Sequence, residues 1–127
     1  MSTSVQDIMS APVLTIDLSD SLWDAWQMLS VSGLRHLIVT NRDGQCLGVI
    51  SDRNVLADSP LTREHLAAKQ VQSIISTQAA FCLRPEDSPK HAALLMTEQD
   101  LDALAVCSPA GRVLGIVTQS DLLSFVS

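Results

Sequence analysis

Two spacings of apolar residues alternate along the chain. Leu22, Ala25, Trp26 and Leu29 recur three and four positions apart, the period of one helical face. Ser21 stands before that stripe as an N-cap, with Asp24 three residues on in a capping-box-like pair, and Gly33 follows it as a stop. Val13-Leu14-Thr15-Ile16, Leu37-Ile38-Val39-Thr40 and Cys46-Leu47-Gly48-Val49-Ile50 are short apolar runs rich in β-branched residues, which read as strands. The last two flank Asn41-Arg42-Asp43-Gly44, where Gly44 can take the positive φ of a hairpin turn. A short helix then begins near Asp52.

The same pattern returns. Val5-Gln6-Asp7-Ile8-Met9-Ser10 recurs as Val71-Gln72-Ser73-Ile74-Ile75-Ser76, an offset of 66 that becomes 67 before the first long helix. At that offset Ser21 matches Ser88, Ala25 matches Ala92, Leu37 and Val39 match Leu104 and Val106, and Gly44 matches Gly111. Leu47-Gly48-Val49-Ile50 returns as Leu114-Gly115-Ile116-Val117. In the second copy Pro89 follows the cap, where its missing N–H costs nothing. The second hairpin turns through Ser108-Pro109-Ala110-Gly111, and its closing helix begins near Gln119. The chain is a duplicated β-α-β-β-α unit of class α+β: residues 1–58, a linker over 59–70 with a helical turn or two from Arg63, and residues 71–127. A unit of about 60 residues hides only about 60% of its unfolded surface, so neither copy is expected to be stable alone. The two sheets are expected to pack on each other with pseudo-twofold symmetry, leaving a cleft between copies.

Four segments of this repeat resemble the CBS (cystathionine-β-synthase-type) domain, and the chain is similar to a tandem CBS pair, or Bateman module. They are Val5 to Thr15 with Pro12; Gly33-Leu34-Arg35-His36-Leu37-Ile38-Val39, with Ile38 where the family usually has Pro; the Asp43-Gly44 turn; and Leu47 to Leu56, repeated as Leu114 to Leu123. The resemblance implies a regulatory, non-catalytic module. It would bind an adenosine-containing ligand (AMP, ADP, ATP, S-adenosylmethionine or a cyclic dinucleotide) between the copies, form a homodimer and pass ligand occupancy to a regulated protein.

Charge and composition narrow the classes further. Eight Lys and Arg against 14 Asp and Glu give a net charge of −6, the wrong sign for a phosphate-neutralising nucleic-acid binder. A 46% hydrophobic fraction supports a packed core. No basic, apolar leader opens the chain and no apolar run is long enough for a bilayer, so a cytoplasmic protein without a membrane segment is expected. Three Cys read as small core residues with free thiols, and with His36, His65 and His91 they show no metal-ligand spacing, so no metal is expected. Trp26 falls on the core stripe, whereas Trp23 lies off it and is assigned to a dimer surface.

The closing signature carries the candidate chemistry. Its strand runs into a helix, with Ser51 or Thr118 at the strand end and Asn54 or Asp121 three residues on. A helix start offers unpaired N–H groups to a phosphate, the hydroxyl adds a hydrogen bond, and a carboxylate one turn inward can accept both ribose hydroxyls. Asp121 suits that task; Asn54 has only one acceptor oxygen. The same spacing is also an ordinary N-cap, and the residues alone leave both readings open. By the family resemblance, the first pocket joins Thr118 and Asp121 to Leu14, Thr15, Arg35 and His36. The second joins Ser51, Arg53 and Asn54 to Phe81, Cys82, Asp102 and Ala103; there Asp102 stands where the first has Arg35 and repels a phosphate. The first is therefore expected to be the better nucleotide site. The alternative function is a dimeric interaction module with degenerate pockets. No Ser/His/Asp or Cys/His set is pinned by motif, so no catalytic residue is assigned.

Overall fold

The computed structural model describes residues 3–58, 60–75 and 82–126. The elements run α1 (Val5–Ile8), β1 (Thr15–Asp17), α2 (Leu22–Ser32), β2 (His36–Thr40), β3 (Cys46–Ser51), α3 (Asp52–Leu56), α4 (Arg63–Ala68), a 3-10 turn (Val71–Ser73), β4 (Cys82–Leu83), α5 (Pro89–Gln99), β5 (Ala103–Cys107), β6 (Val113–Thr118) and α6 (Gln119–Val126). They form two three-stranded sheets, ordered β1-β2-β3 and β4-β5-β6, each with one parallel and one antiparallel pair. Leu37 pairs with Ile50 in one and Leu104 with Val117 in the other, and the register shifts at matching points, Val39/Thr40 and Val106/Cys107. The duplication read from the sequence is thus a duplication of strand pairing.

Local chemistry sets the helix ends. Ser21 Oγ accepts the Asp24 N–H at 3.0 Å and Ser88 Oγ the His91 N–H at 3.0 Å, each occupying a donor that the first turn leaves without a partner. Gly33 ends α2 in the left-handed region at φ 73°. Its counterpart after α5 is Asp100, a residue with a side chain, held at φ 54°.

Burial follows from strands covered on both faces. On β2, Leu37 and Val39 point to the helical layer while Ile38 between them points to the other sheet. Ile38, Ala103, Ala105, Cys107 and Ile116 form the core between the sheets. The packing is sheet to sheet, as the size of the unit demands.

The opening segments are exchanged between repeats. Val5, from α1, is fully buried with Leu83, Ala92, Met96, Leu104 and Val117 of the second repeat, and its N–H donates to the Asp87 carbonyl. Leu66 and Val71 fill the core of the first repeat, where the Val71 N–H donates to the Asp20 carbonyl. Each opening segment therefore completes the other copy's core. Trp23, assigned from the sequence to a dimer surface, is half-buried against the first core with the Arg63 guanidinium 5.6 Å from its ring centroid. The α4 helix, whose docking the local pattern does not reveal, brings that arginine there.

Candidate functional site

Both strand-to-helix junctions are closed by reciprocal caps. At the first, Ser51 N–H and Oγ–H donate to Asn54 Oδ1 at 2.8 and 3.0 Å, while Ser51 Oγ accepts the Asn54 N–H at 3.2 Å. At the second, Thr118 N–H and Oγ1–H donate to Asp121 Oδ2 at 2.9 and 3.1 Å, and Thr118 Oγ1 accepts the Asp121 N–H at 3.3 Å. The capping reading holds for both. It uses the single acceptor oxygen of Asn54 but only one of the two on Asp121, whose Oδ1 takes a long 3.4 Å bond from the Ser10 hydroxyl.

The helix starts differ as well. In α3 the Arg53 N–H donates to the Asp52 carboxylate at 2.8 Å. The residue matching Asp52 is Gln119, so the first-turn carboxylate of α6 is Asp121, two residues further in.

Two cavities lie beside these junctions. The first, of about 330 Å³, brings Leu14, Arg35 and His36 of the first repeat against Thr118, Gln119 and Ser120 of the second. Thr15 is exposed and is not among its lining residues; Asp121 sits one hydrogen bond behind the wall, through Thr118 and Ser10. The second, of about 300 Å³, gathers Ser51, Arg53, Asn54, Asp102 and Ala103. Phe81 lies outside the described residues, and Cys82 is not part of the second lining.

The two cavities share a wall. His36, Arg53, Asp102 and Gln119 line both, and His36 Nε2 sits 3.1 Å from Asp102 Oδ1 with the imidazole mostly buried. Asp102, assigned from the sequence to the second pocket alone, therefore also faces the first, because face-to-face packing of β2 and β5 puts the two cavities back to back. Arg35 is 65% exposed and 3.7 Å from Asp52, so it reaches the first cavity from its mouth. The second cavity adds Asp100, carried there by the left-handed turn after α5, and so holds two carboxylates beside Arg53. Ser10 and Asp100 escape sequence reasoning because each reaches its cavity through a crossing between repeats or a backbone turn.

The cysteines form a separate group. Their Sγ atoms lie within 4.8 Å of one another although the residues come from β3, β4 and β5. Cys107 is buried and Cys46 half-buried, but Cys82 is exposed, contrary to a purely core role. Hydrogen bonding from the Cys107 and then the Cys46 thiol pulls the Cys82 pKa below the usual thiol range; hydrogen bonding with Cys107, then Cys82, together with burial, pushes Cys46 up.

Two small α+β repeats, facing sheet to sheet with a strand-to-helix junction on each side of a shared wall, define a tandem-repeat module. The chain matches the CBS domain family over residues 5–59 and 71–127, and it belongs to that family. A CBS domain-containing protein of Dictyostelium discoideum is 31% identical over 135 residues, covering 99% of this chain and 92% of the relative. The L-aspartate semialdehyde sulfurtransferase of Methanocaldococcus jannaschii is 25% identical over 121 residues, covering 94% of this chain but only 22% of that enzyme. Among solved structures, a CBS domain pair in complex with 5′-methylthioadenosine and S-adenosyl-L-methionine superposes with a TM-score of 0.82 at 23% identity, covering 99% of this chain and 97% of that one. CBSX2 in complex with AMP gives a TM-score of 0.80 at 24% identity, covering 97% and 95%. Among the described residues no helix is long and apolar enough to cross a membrane.

Proposed function

We propose that this chain is a regulatory module that binds an adenosine-containing ligand in the first cavity and reports occupancy to a partner protein. The observation that carries the reading is the cavity between repeats, with Arg35, His36 and Arg53 on its walls and the α6 start with Thr118 opposite. Its volume of about 330 Å³ falls in the range of small-molecule sites, about 300–1,000 Å³. The two arginines and the helix start suit a phosphate or a carboxylate-bearing tail and Leu14 offers an apolar contact to a base; Asp121, behind the wall, would take a ribose hydroxyl through Oδ1 in place of its long Ser10 contact. Relatives of the same fold solved with adenosyl ligands support the class of ligand. The second cavity, with two carboxylates and an amide whose oxygen already serves a cap, is the weaker site.

Signalling follows from the shared wall. A ligand drawing His36 toward the first cavity alters its pairing with Asp102 on the second, and a partner sensitive to the angle between repeats would register the change. Catalysis forms no part of this reading, and the enzyme relative above contains the module as a minor share of its length.

A second reading, a homodimeric interaction module with empty pockets, draws on the apolar exposure of α6, where Leu123 and Val126 are 68% and 74% exposed. Calorimetric titration with AMP, ATP and S-adenosylmethionine, with melting curves and native mass spectrometry, separates the two. The sensor reading expects one strong site per chain and, at a hundredfold excess over Kd, a stabilisation of about 2.7 kcal/mol, a Tm rise on the order of 10 °C. A stable dimer with neither heat nor Tm shift from any of the three would replace it.

A further inference from the structure

The geometry points to a second site, independent of the adenosyl cavity: Cys46, Cys82 and Cys107 form a three-thiolate site for one soft metal ion, and Cu(I) is the ion that it fits. All three cysteines of the chain converge there, although 36 and 25 residues separate them in sequence. Packing alone does not call for sulfur at these places. At the repeat offset of 67 the matching residues are Val113, Thr15 and Thr40, so the pseudo-symmetric position is filled without a single thiol.

The ligands come from strands, which fixes them better than loops would. Cys82 opens β4 and pairs with Ala105, and Cys107 closes β5 opposite Val113, so both sit on one sheet. Cys46 opens β3 in the facing sheet, and its N–H is anchored to the Gly111 carbonyl at 3.1 Å across the gap. A bound ion would thus tie the two repeats together. Cys46 and Cys107 belong to the apolar layer that holds Ile38, Ala105 and Ile116, while exposed Cys82 leaves an entry path.

Donor type and number select the ion. Thiolates favour Cu(I) and Zn(II) over harder cations. Structural zinc takes four tetrahedral ligands, and among the described residues no fourth His, Cys, Asp or Glu donor joins the group. Three sulfurs satisfy Cu(I) in a trigonal arrangement. With metal–sulfur bonds of about 2.3 Å, such a site sets its sulfurs about 4.0 Å apart, within about 1 Å of the spacing present. Binding exchanges the S–H protons for the metal, releases them to solvent and leaves copper as Cu(I), so no oxidant or reductant takes part.

The test uses the full chain, reduced and without oxygen, titrated with Cu(I) as its acetonitrile complex against bicinchoninate, and read by chelator absorbance and native mass spectrometry. The expected result is one Cu(I) per chain and protection of the three thiols from iodoacetamide, reversed by excess chelator. Changing a residue behind a metal ligand typically costs 10–100-fold in affinity. Cys82→Ser and Cys46→Ser, each checked for a cooperative melt, are therefore expected to weaken binding by at least about tenfold. Cys107→Ser is the variant most exposed to misfolding, and the other two carry the test without it. No retained copper, retention unchanged in Cys82→Ser and Cys46→Ser, or displacement of Cu(I) by equimolar Zn(II) would overturn the assignment.

Discussion

Asp121 shows how one carboxylate can hold a helix with one oxygen and leave the other only weakly bonded. Oδ2 caps α6 through Thr118, and Oδ1 is left with the long Ser10 contact. Asn54 in the other repeat performs the same capping with an amide, at closely similar distances. Asp121→Asn should therefore keep the cap, changing stability without ligand by less than about 1 kcal/mol in a urea melt. Losing the charge-assisted hydrogen bond of about 1.5–3 kcal/mol should still raise the Kd for an adenosyl ligand by about tenfold or more. Equal loss of stability and affinity would assign the residue to structure alone. The caps were legible because they join positions three apart. Arg53, assigned to the second pocket, also lines the first, which local spacing could not disclose.

At the scale of elements, the linker is a strut with a charge lock. Asp58, just after α3, meets His65 at 2.9 Å and Lys69 at 3.0 Å, so α4 is held against the first repeat from both of its turns. The Lys69 ammonium, then His65, holds the Asp58 pKa below the ordinary carboxylate value despite some opposing burial. A folded-state pKa below the unfolded one contributes stability that is complete above the unfolded value, near 3.9, and is lost as pH falls through the folded value. Asp58→Asn should consequently melt lower than the parent at pH 7, the gap narrowing as pH falls below the ordinary carboxylate value and closing below the folded-state one, in paired thermal scans from neutral to acid pH. Parallel curves at every pH would remove Asp58 from the acid response. A helix near Arg63 was expected from the sequence; its docking over Trp23 was not, since nothing in the local pattern encodes which face of α2 receives it.

For the whole molecule, exchanged openings make the two repeats interdependent. Residues 71–127 alone would lose Val5 from their core and expose Ala105 and Ile116, which face the other sheet. That fragment should show no cooperative urea transition by circular dichroism, whereas the full chain should; a sharp transition in the fragment would contradict the interdependence. The sequence alone determined the duplicated unit, the α+β class, the hairpins, the helix ends and the two junctions bearing Ser51 and Thr118. Each of these arises from contacts between near neighbours in the chain, or from a periodicity that marks which face must be buried. Only the tertiary structure decided that α1 crosses to the second core, that His36 meets Asp102 in a wall common to both cavities, and that three distant cysteines converge. Those juxtapositions depend on how one twisted sheet lies on another, a geometry set by the summed packing of both inner faces and written in no single stretch of residues.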